Sequence, residues 1–310
     1  MSERFIMTND RYPCMPKRCS KCKREAVVSQ PYSGLDLCPK HFAIDLERKV
    51  KREIRRHRWL SKEKRIGVAV SGSACSCTLL HLLAAITRER RDITLFCLHV
   101  NDGTMDKSSL VKEIAEIEGV GLVMGWAGTQ PETRQTEDIT GEQLNRWRRN
   151  HIRNCLIRMA EREKITMVAL GSTLDDEAES ILAGFLSGEI SCILEPDGLQ
   201  TIGSQYQVSW IRPLRMVPRD EGNLYAEQTY PGTRFPRSHY GDASRTGLAA
   251  HPESSGDSRR ERCQDHDRNA MIQKILSDYT SRHPSALYSI VNLGEAIRSA
   301  YEHTDQYREN

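Results

Sequence analysis

Four residues near the N-terminus constrain this chain more tightly than any hydrophobic pattern in it. Cys19-Ser-Lys-Cys22 is followed, after fifteen residues, by Cys38-Pro-Lys-His41. These C-x-x-C and C-x-x-H pairs have the spacing at which two ligands clasp one ion through a tight turn. Three thiolates and an imidazole are the soft and borderline donors that tetrahedral Zn²⁺ takes. Four protein ligands leave no open position for water or substrate, so the site reads as structural. Cys14 lies close enough to compete as a ligand and ranks below Cys19. The flanking sequence is too poor in apolar residues to build a core of its own. Residues 1–43 are therefore expected to form a small zinc-binding module, and removing the metal is expected to unfold residues 15–43 while sparing the rest.

The remainder of the 310 residues is long enough for one sizeable domain. The charge of +3 comes from 45 Lys and Arg against 42 Asp and Glu, so attraction to nucleic acid has to come from where charge sits. The opening stretch MSERFIMTND has no apolar signal-type core, and no segment approaches the roughly 20 apolar residues that span a bilayer. The expectation is a soluble cytoplasmic protein, without a membrane partner, whose ten Cys stay reduced as metal ligands or small core residues.

Phe42, Leu46, Val50 and Ile54 recur every four positions and predict an amphipathic basic linking helix over 44–62. Between Arg48 and Arg65 ten Lys or Arg face two Glu. Lys51, Arg52, Arg55, Arg56 and Arg58 then form either a ridge that neutralises RNA phosphates or an ordinary solvated face. Arg146-Trp-Arg-Arg149 with Arg153 is a second cluster, in which Trp147 either stacks on bases or packs in the core.

Over 63–221 short apolar runs alternate with helical patterns. Strands are expected at Arg65–Val70, Ile93–Val100, Gly121–Trp126, Ile165–Leu170 and around Gln207–Leu214, and helices at 78–87, 108–118, 143–163 and 174–186. Such alternation predicts an α/β fold with a parallel sheet and covering helices. Residues 127–141 read as loop. Residues 222–262, rich in Gly, Pro, Ser, Arg and Asp, read as a polar mobile insertion, and 263–310 as a C-terminal helical segment.

The first strand runs through Val68-Ala-Val70 into Ser71-Gly-Ser-Ala-Cys-Ser76 and a helix. That places hydroxyls and backbone N–H groups at a helix N-terminus, where anions bind; Ser and Gly also serve there simply as caps. Cys75 and Cys77 beside it are either thiols of depressed pKa or small packing residues.

The order of the zinc pairs, Lys51-Arg-Glu-Ile-Arg-Arg-His-Arg-Trp-Leu60, Val-Ala-Val-Ser-Gly72, Gly171-Ser-Thr-Leu-Asp-Asp-Glu-Ala178 and Ile211-Arg-Pro-Leu-Arg215 resembles the TtuA-like tRNA 2-thiouridine synthetases, PP-loop ATP pyrophosphatases. The likeness implies an adenine-nucleotide α-hydrolase-like sheet. It further implies adenylation of a uridine by ATP with release of pyrophosphate, then displacement of AMP by sulfur. Nucleotide-binding residues carried over are Ser71, Gly72, Ser73, Ser76, Gly171, Asp175 and Asp176.

Departures from the family pattern fall on the chemistry. The family loop reads S-G-G-x-D-S, and here Ser73 and Cys75 replace its second Gly and its Asp. A thiol is no substitute for a carboxylate as a hard Mg²⁺ ligand. Asp175, Asp176 and Glu177 either bind Mg²⁺ beside ATP or stabilise a helix start. The C-x-x-C that holds an iron–sulfur cluster in the family falls on Asn145 and Arg148, Cys263 alone matches its third cysteine, and no C-terminal zinc ribbon follows. The resemblance therefore points to a tRNA-binding protein of uridine 2-thiolation with structural Zn²⁺ and no cluster. It is either a non-catalytic member working with a catalytic paralogue or a ubiquitin-like sulfur carrier, or an active ATP/Mg²⁺-dependent enzyme with a divergent loop. A homodimer is compatible with either.

Overall fold

The computed structural model describes residues 17–61, 64–103, 105–127, 141–188, 193, 199–200, 206, 208–236 and 258–306. The chain divides into two compact units, Met1–Asp45 and Leu46–Asn310.

In the first unit β1 (Val28–Gln30) and β2 (Leu35–Leu37) form an antiparallel hairpin. Gly34, at φ +68°, turns the chain between them in a conformation that a side chain would strain. Helix α1 (Pro39–Arg56) begins directly after Cys38, with Pro39 at the first helical position, where a missing N–H costs nothing. This helix starts earlier than the predicted linking helix, and its first turn carries His41.

The second unit is built on a six-stranded sheet in the order β5-β4-β3-β6-β8-β7. Its five parallel strands are β3 (Lys64–Ala69), β4 (Ile93–Asn101), β5 (Gly121–Trp126), β6 (Met167–Leu170) and β8 (Val208–Ile211), and β7 (Leu199–Gln200) pairs antiparallel at the edge. From β3 the chain winds outward through α2 (Ala74–Thr87), β4, α3 (Ser108–Glu118) and β5. It then returns through α4 (Gly141–Arg162) to β6, on the other side of β3, and continues through α5 (Leu174–Ser187). Right-handed crossovers therefore place α2 and α3 on one face and α4 and α5 on the other. Helix α4 packs Cys155, Leu156, Met159 and Ala160 against Leu98, Val123, Val168 and Trp210 of the strands. Leu174, Ala178 and Ile181 of α5 pack with Ile272 and Leu276 of α7 (Ser258–Arg282) and Val291 of α8 (Ala286–Gln306).

Two expectations differ from the structure. The aperiodic stretch expected from 222 opens within a helix, α6 (Arg219–Thr229), whose Gly222, Tyr225 and Ala226 are buried. Thr78 Oγ1 of α2 donates to the Gly222 carbonyl at 2.8 Å. Acidic and polar residues dominate the α6 sequence and hide its packing face. Residues 237–257 of the expected insertion, and the predicted loop at 128–140, lie outside the described residues. The apolar stripe of α1 holds: Leu46 and Val50 are fully buried and Ile54 nearly so. Lys49, one of the ten cations counted above, is itself buried and paired with Glu221 at 2.8 Å.

Strands β3 and β6 are adjacent, and the chain leaves them in opposite directions along the sheet. That is a topological switch point, where parallel α/β sheets open a crevice at their carboxyl ends. The turns after these strands, Ser71–Ser73 and Gly171–Thr173, meet there. A Cβ on Gly171 would lie 2.9 Å from the Ser76 Cα and 3.1 Å from its N. Backbone cannot move aside as a side chain does, so Gly171→Ala is expected to lower stability by about 1–3 kcal/mol. A shifted urea midpoint at unchanged m-value is the readout, and an unshifted midpoint would show that α2 tolerates the displacement.

Candidate functional site

The hairpin and the first turn of α1 bring Cys19, Cys22, Cys38 and His41 together, with all four ligand atoms within 4.8 Å of one another. Cys19 Sγ lies 3.3 Å from His41 Nδ1, Cys38 Sγ lies 3.5 Å from the same nitrogen, and the Cys22 and Cys38 sulfurs are 3.7 Å apart. Ligands about 2.0–2.3 Å from a tetrahedral ion stand roughly 3.5–3.8 Å from one another, and these three separations are close to that, so the group could hold a metal ion. The Cys22 N–H donates to the Cys19 carbonyl at 3.2 Å and closes the knuckle. Burial opposes ionisation of Cys19, but the N–H groups of Cys38 and Lys21 and the His41 ring outweigh it and bring the thiol down to about 6. Cys14 lies outside the described residues.

At the switch point Ser73 is the N-cap of α2, extended at φ −77° and ψ 153°, and its hydroxyl accepts from the Ser76 N–H. Ser71 Oγ lies 3.1 Å from Ser73 Oγ and 3.4 Å from Ser76 Oγ, and the Ser73 and Ser76 hydroxyls are 3.2 Å apart. Gly72 has φ +79°, and a Cβ there would meet Lys107 Cδ at 2.9 Å and Cβ at 3.0 Å. The structure thus brings Ser71, Gly72, Ser73, Ser76 and Gly171 together at the switch point.

Cys75 does not face that crevice. Its Sγ points towards α6, donating to Asn223 Oδ1 at 3.3 Å, and a Cβ on Gly222 would stand 2.9 Å from it. Burial, reinforced by the Asp176 charge, pushes the thiol up to about 12, and burial does the same to Cys77. Of the two readings of these cysteines, depressed pKa is overturned and packing stands.

Asp175 and Asp176 open α5 beside the crevice, and their oxygens are engaged within the fold. Asp176 Oδ2 accepts from the Thr173 N–H at 2.8 Å and its hydroxyl at 2.7 Å, completing a capping box. Asp176 Oδ1 accepts from the Arg219 guanidinium at 2.7 Å, which also reaches Glu179 at 3.0 Å. Asp175 Oδ2 accepts from the Arg219 N–H at 2.7 Å, and burial raises its pKa despite that bond. Glu177 is buried against Arg212 and Arg298, at 3.2 and 3.5 Å. Arg215 of the same Ile-Arg-Pro-Leu-Arg run pairs with Glu295 at 3.5 Å.

Arg52, Arg55 and Arg56 on α1, and Arg58 just beyond it, are exposed. Arg56 is nevertheless tied to Glu295 at 2.7 Å and Lys51 to Glu47 at 2.9 Å. Arg58 sits past the helix end at φ +54° and Trp59 is buried. On α4, Arg148 donates two hydrogen bonds to Asp102 Oδ2, at 2.8 and 2.6 Å. Trp147 stacks on His151 with centroids 3.8 Å apart. The side chains of Arg146, Asn145 and Cys263 lie outside the described residues.

Sequence reasoning missed three residues here. Arg219 carried no signal, because only the fold brings it to Asp176. Lys107, the N-cap of α3, lies over Gly72. His99 was legible as a polar residue closing a buried strand; its Nδ1 bonds the Val70 carbonyl at 2.8 Å. For the N-terminal group, stripping the metal with a chelator is expected to expose residues 17–43 to proteolysis and leave the far-UV signal of the α/β unit intact. A simultaneous loss of both would mean that the metal also holds the larger unit.

A family model described as the N-terminal LIM domain of the 2-thiouridine synthetase TtuA matches residues 18–43, and one described as the PP-loop domain matches 43–231. The tRNA-5-methyluridine(54) 2-sulfurtransferase of Pyrococcus horikoshii is 29% identical over 220 residues, 67% of either chain. The tRNA 2-thiolation protein NcsA of Haloferax volcanii is 26% identical over 67% of this chain and 71% of its own. Cytoplasmic tRNA 2-thiolation protein 1 of Xenopus laevis is 25% identical over 68% of this chain, which spans 64% of that relative's length. The solved U34-tRNA thiolase NcsA from Methanococcus maripaludis, described with its 4Fe–4S cluster, superposes with a TM-score of 0.70. It covers 91% of this chain and 88% of its own at 20% identity. A five-stranded parallel sheet with a Ser-Gly turn at its switch point, preceded in the chain by a Cys/His group within the stretch that matches the TtuA N-terminal model, is what these comparisons meet, and the chain belongs to the PP-loop domain family.

Proposed function

We propose that this protein binds tRNA for uridine 2-thiolation and does not itself carry out the ATP-dependent activation step. The observation that carries this reading is the inward, neutral Cys75 thiol at the position where the family loop has its Asp. Asp175 and Asp176 are engaged by Arg219 and Thr173, which weakens them as Mg²⁺ ligands for a polyphosphate at that loop. ATP would meet Ser71, Gly72, Ser73, Ser76 and Gly171, and its phosphates would lack their usual counter-ion.

The ion of the N-terminal group is Zn²⁺ in a structural role, since three sulfurs and a nitrogen close the tetrahedron. The reading assigns no iron–sulfur cluster, because the C-x-x-C that holds one in the family falls here on Asn145 and Arg148. Among the described residues no other His, Cys, Asp or Glu group converges, and Arg148 is occupied by Asp102. Transfer of sulfur would then fall to a partner, a catalytic paralogue or a ubiquitin-like sulfur carrier, or a second copy of the chain in a homodimer. Among the described residues no helix is long and apolar enough to cross a membrane, and the reading places the protein in the cytoplasm with its tRNA.

One observation favours the alternative of an active enzyme: the loop keeps its left-handed Gly72 and its contact with Gly171. AMP release separates the two. The zinc-loaded protein, given ATP, Mg²⁺ and tRNA, is expected to form no AMP above background while an intact-loop relative does; tRNA-dependent AMP would establish the active enzyme. For the RNA face, replacing Arg52, Arg55 and Arg58 together with Ala is expected to weaken tRNA binding and flatten its logarithmic salt dependence by about 0.7–0.9 per lost contact. An unchanged salt slope would move the interface off α1.

A further inference from the structure

The second basic cluster, on α4, plays no part in the function proposed above, and the structure decides between the two roles its Trp147 could have. Gly125 of β5 lies against Cys155 and Met159 of α4, and the Cys155 thiol donates to the Trp126 carbonyl at 3.5 Å. His151 and Trp147 continue the same stripe one and two turns nearer the helix start. At 1.5 Å per residue they lie about 6 and 12 Å further along α4 than Cys155, past the point where β5 ends at Trp126. Trp147 therefore overhangs the carboxyl edge of the sheet, outside the buried cluster that Cys155 and Met159 join. It is half-buried and stacks on His151, whose Nδ1–H donates to the Trp147 carbonyl at 2.9 Å.

A second aromatic stands at the same edge. Trp126 is 51% exposed, and its indole rests over Gly103, where a Cβ would meet Cη2 at 3.4 Å. Met124, on the same face of β5, is also exposed. The Asp102-Gly103 turn links the two aromatic groups: Gly103 carries Trp126, and Asp102 is held by Arg148, the neighbour of Trp147. Charge on this helix is one-sided. From Gln143 to Ala160 it has five Arg and no Asp or Glu, and Arg149 and Arg158 are exposed. An apolar partner would need only Met124 and Trp126, whereas stacked rings beside arginines suit a polyanion that carries flat rings of its own.

We infer that this edge of the sheet is a stacking platform for unpaired RNA bases, with Trp126 and Trp147 each taking a base and the α4 arginines attracting the strand between them. Bases within a duplex keep their faces stacked on one another, so the platform selects a single-stranded loop of an RNA over its helical stems. The cations of α1 make no such distinction, because they neutralise phosphates of any strand. The inference rests on the reading that the protein binds tRNA, and it adds which part of the RNA is held and by which side chains.

The test titrates the zinc-loaded protein into a labelled oligouridine, and separately into a labelled blunt RNA duplex, followed by anisotropy. Tryptophan emission is then followed with unlabelled oligouridine. Trp59 and Trp210 are buried, so quenching by bases reports Trp126 and Trp147. Oligouridine is expected to bind and to quench. Trp126→Ala and Trp147→Ala are each expected to weaken its binding about tenfold, as loss of one stacked base would, with duplex affinity unchanged. Trp126→Phe combined with Trp147→Phe is expected to retain binding while the quenching disappears, and that pair decides the matter should an Ala variant fail to fold. No binding of oligouridine, no quenching, wild-type affinity in both Ala variants, or equal losses for oligouridine and duplex would overturn the inference. Retention of tRNA without quenching would sink the platform and leave the tRNA-binding reading standing. Quenching and Trp-dependent binding of oligouridine by a protein that does not retain tRNA would do the reverse.

Discussion

The structure turns on one close approach of backbone to backbone. At the switch point between β3 and β6, Gly171 presses against the first turn of α2 so closely that a single methyl group would meet Ser76 main-chain atoms. Everything that gathers in the crevice depends on that approach. It brings the Ser71–Ser73 turn beside Thr173 and the acidic start of α5, and α6 reaches both helices through Gly222 and Arg219. A parallel sheet with helices on both faces opens such a crevice by topology alone. The glycines set how tightly it closes.

Arg219 decides what the crevice can do. Its guanidinium engages Asp176 and Glu179 and its backbone N–H engages Asp175, so one residue bridges three carboxylates that would otherwise repel one another. Such a partly buried cluster contributes fold specificity more surely than stability, because the desolvation of each ion offsets much of the attraction. Asp175 and Asp176 are thereby tied to α6. Cys75 belongs to the same arrangement, since a thiol lies against Gly222 at the cost of little desolvation, where a carboxylate would be buried beside Asp175 and Asp176.

The N-terminal module follows a different logic. Its hairpin has strands of three residues, too short to be stable alone in water. Its four Cys and His side chains, spaced along the chain to meet at one point, come together as a group that could hold a metal ion. This is why the group could be named from the sequence and found intact in the fold.

Sequence alone determined the parts governed by local periodicity and short-range spacing. These were the metal ligands, the stripe of Leu46, Val50 and Ile54 on α1, the alternation that makes a parallel sheet, and the Ser-Gly turn opening α2. The extent of helix 219–229 was not legible, because its polar sequence shows an apolar face only once α2 is in place. Neither was the inward turn of Cys75, the engagement of Asp176 by Arg219, or the position of Lys107 over Gly72. Each joins residues more than thirty positions apart, and their chemistry depends on burial and on which charge stands opposite. Those are properties of packing, and packing is settled only when the whole sheet has closed.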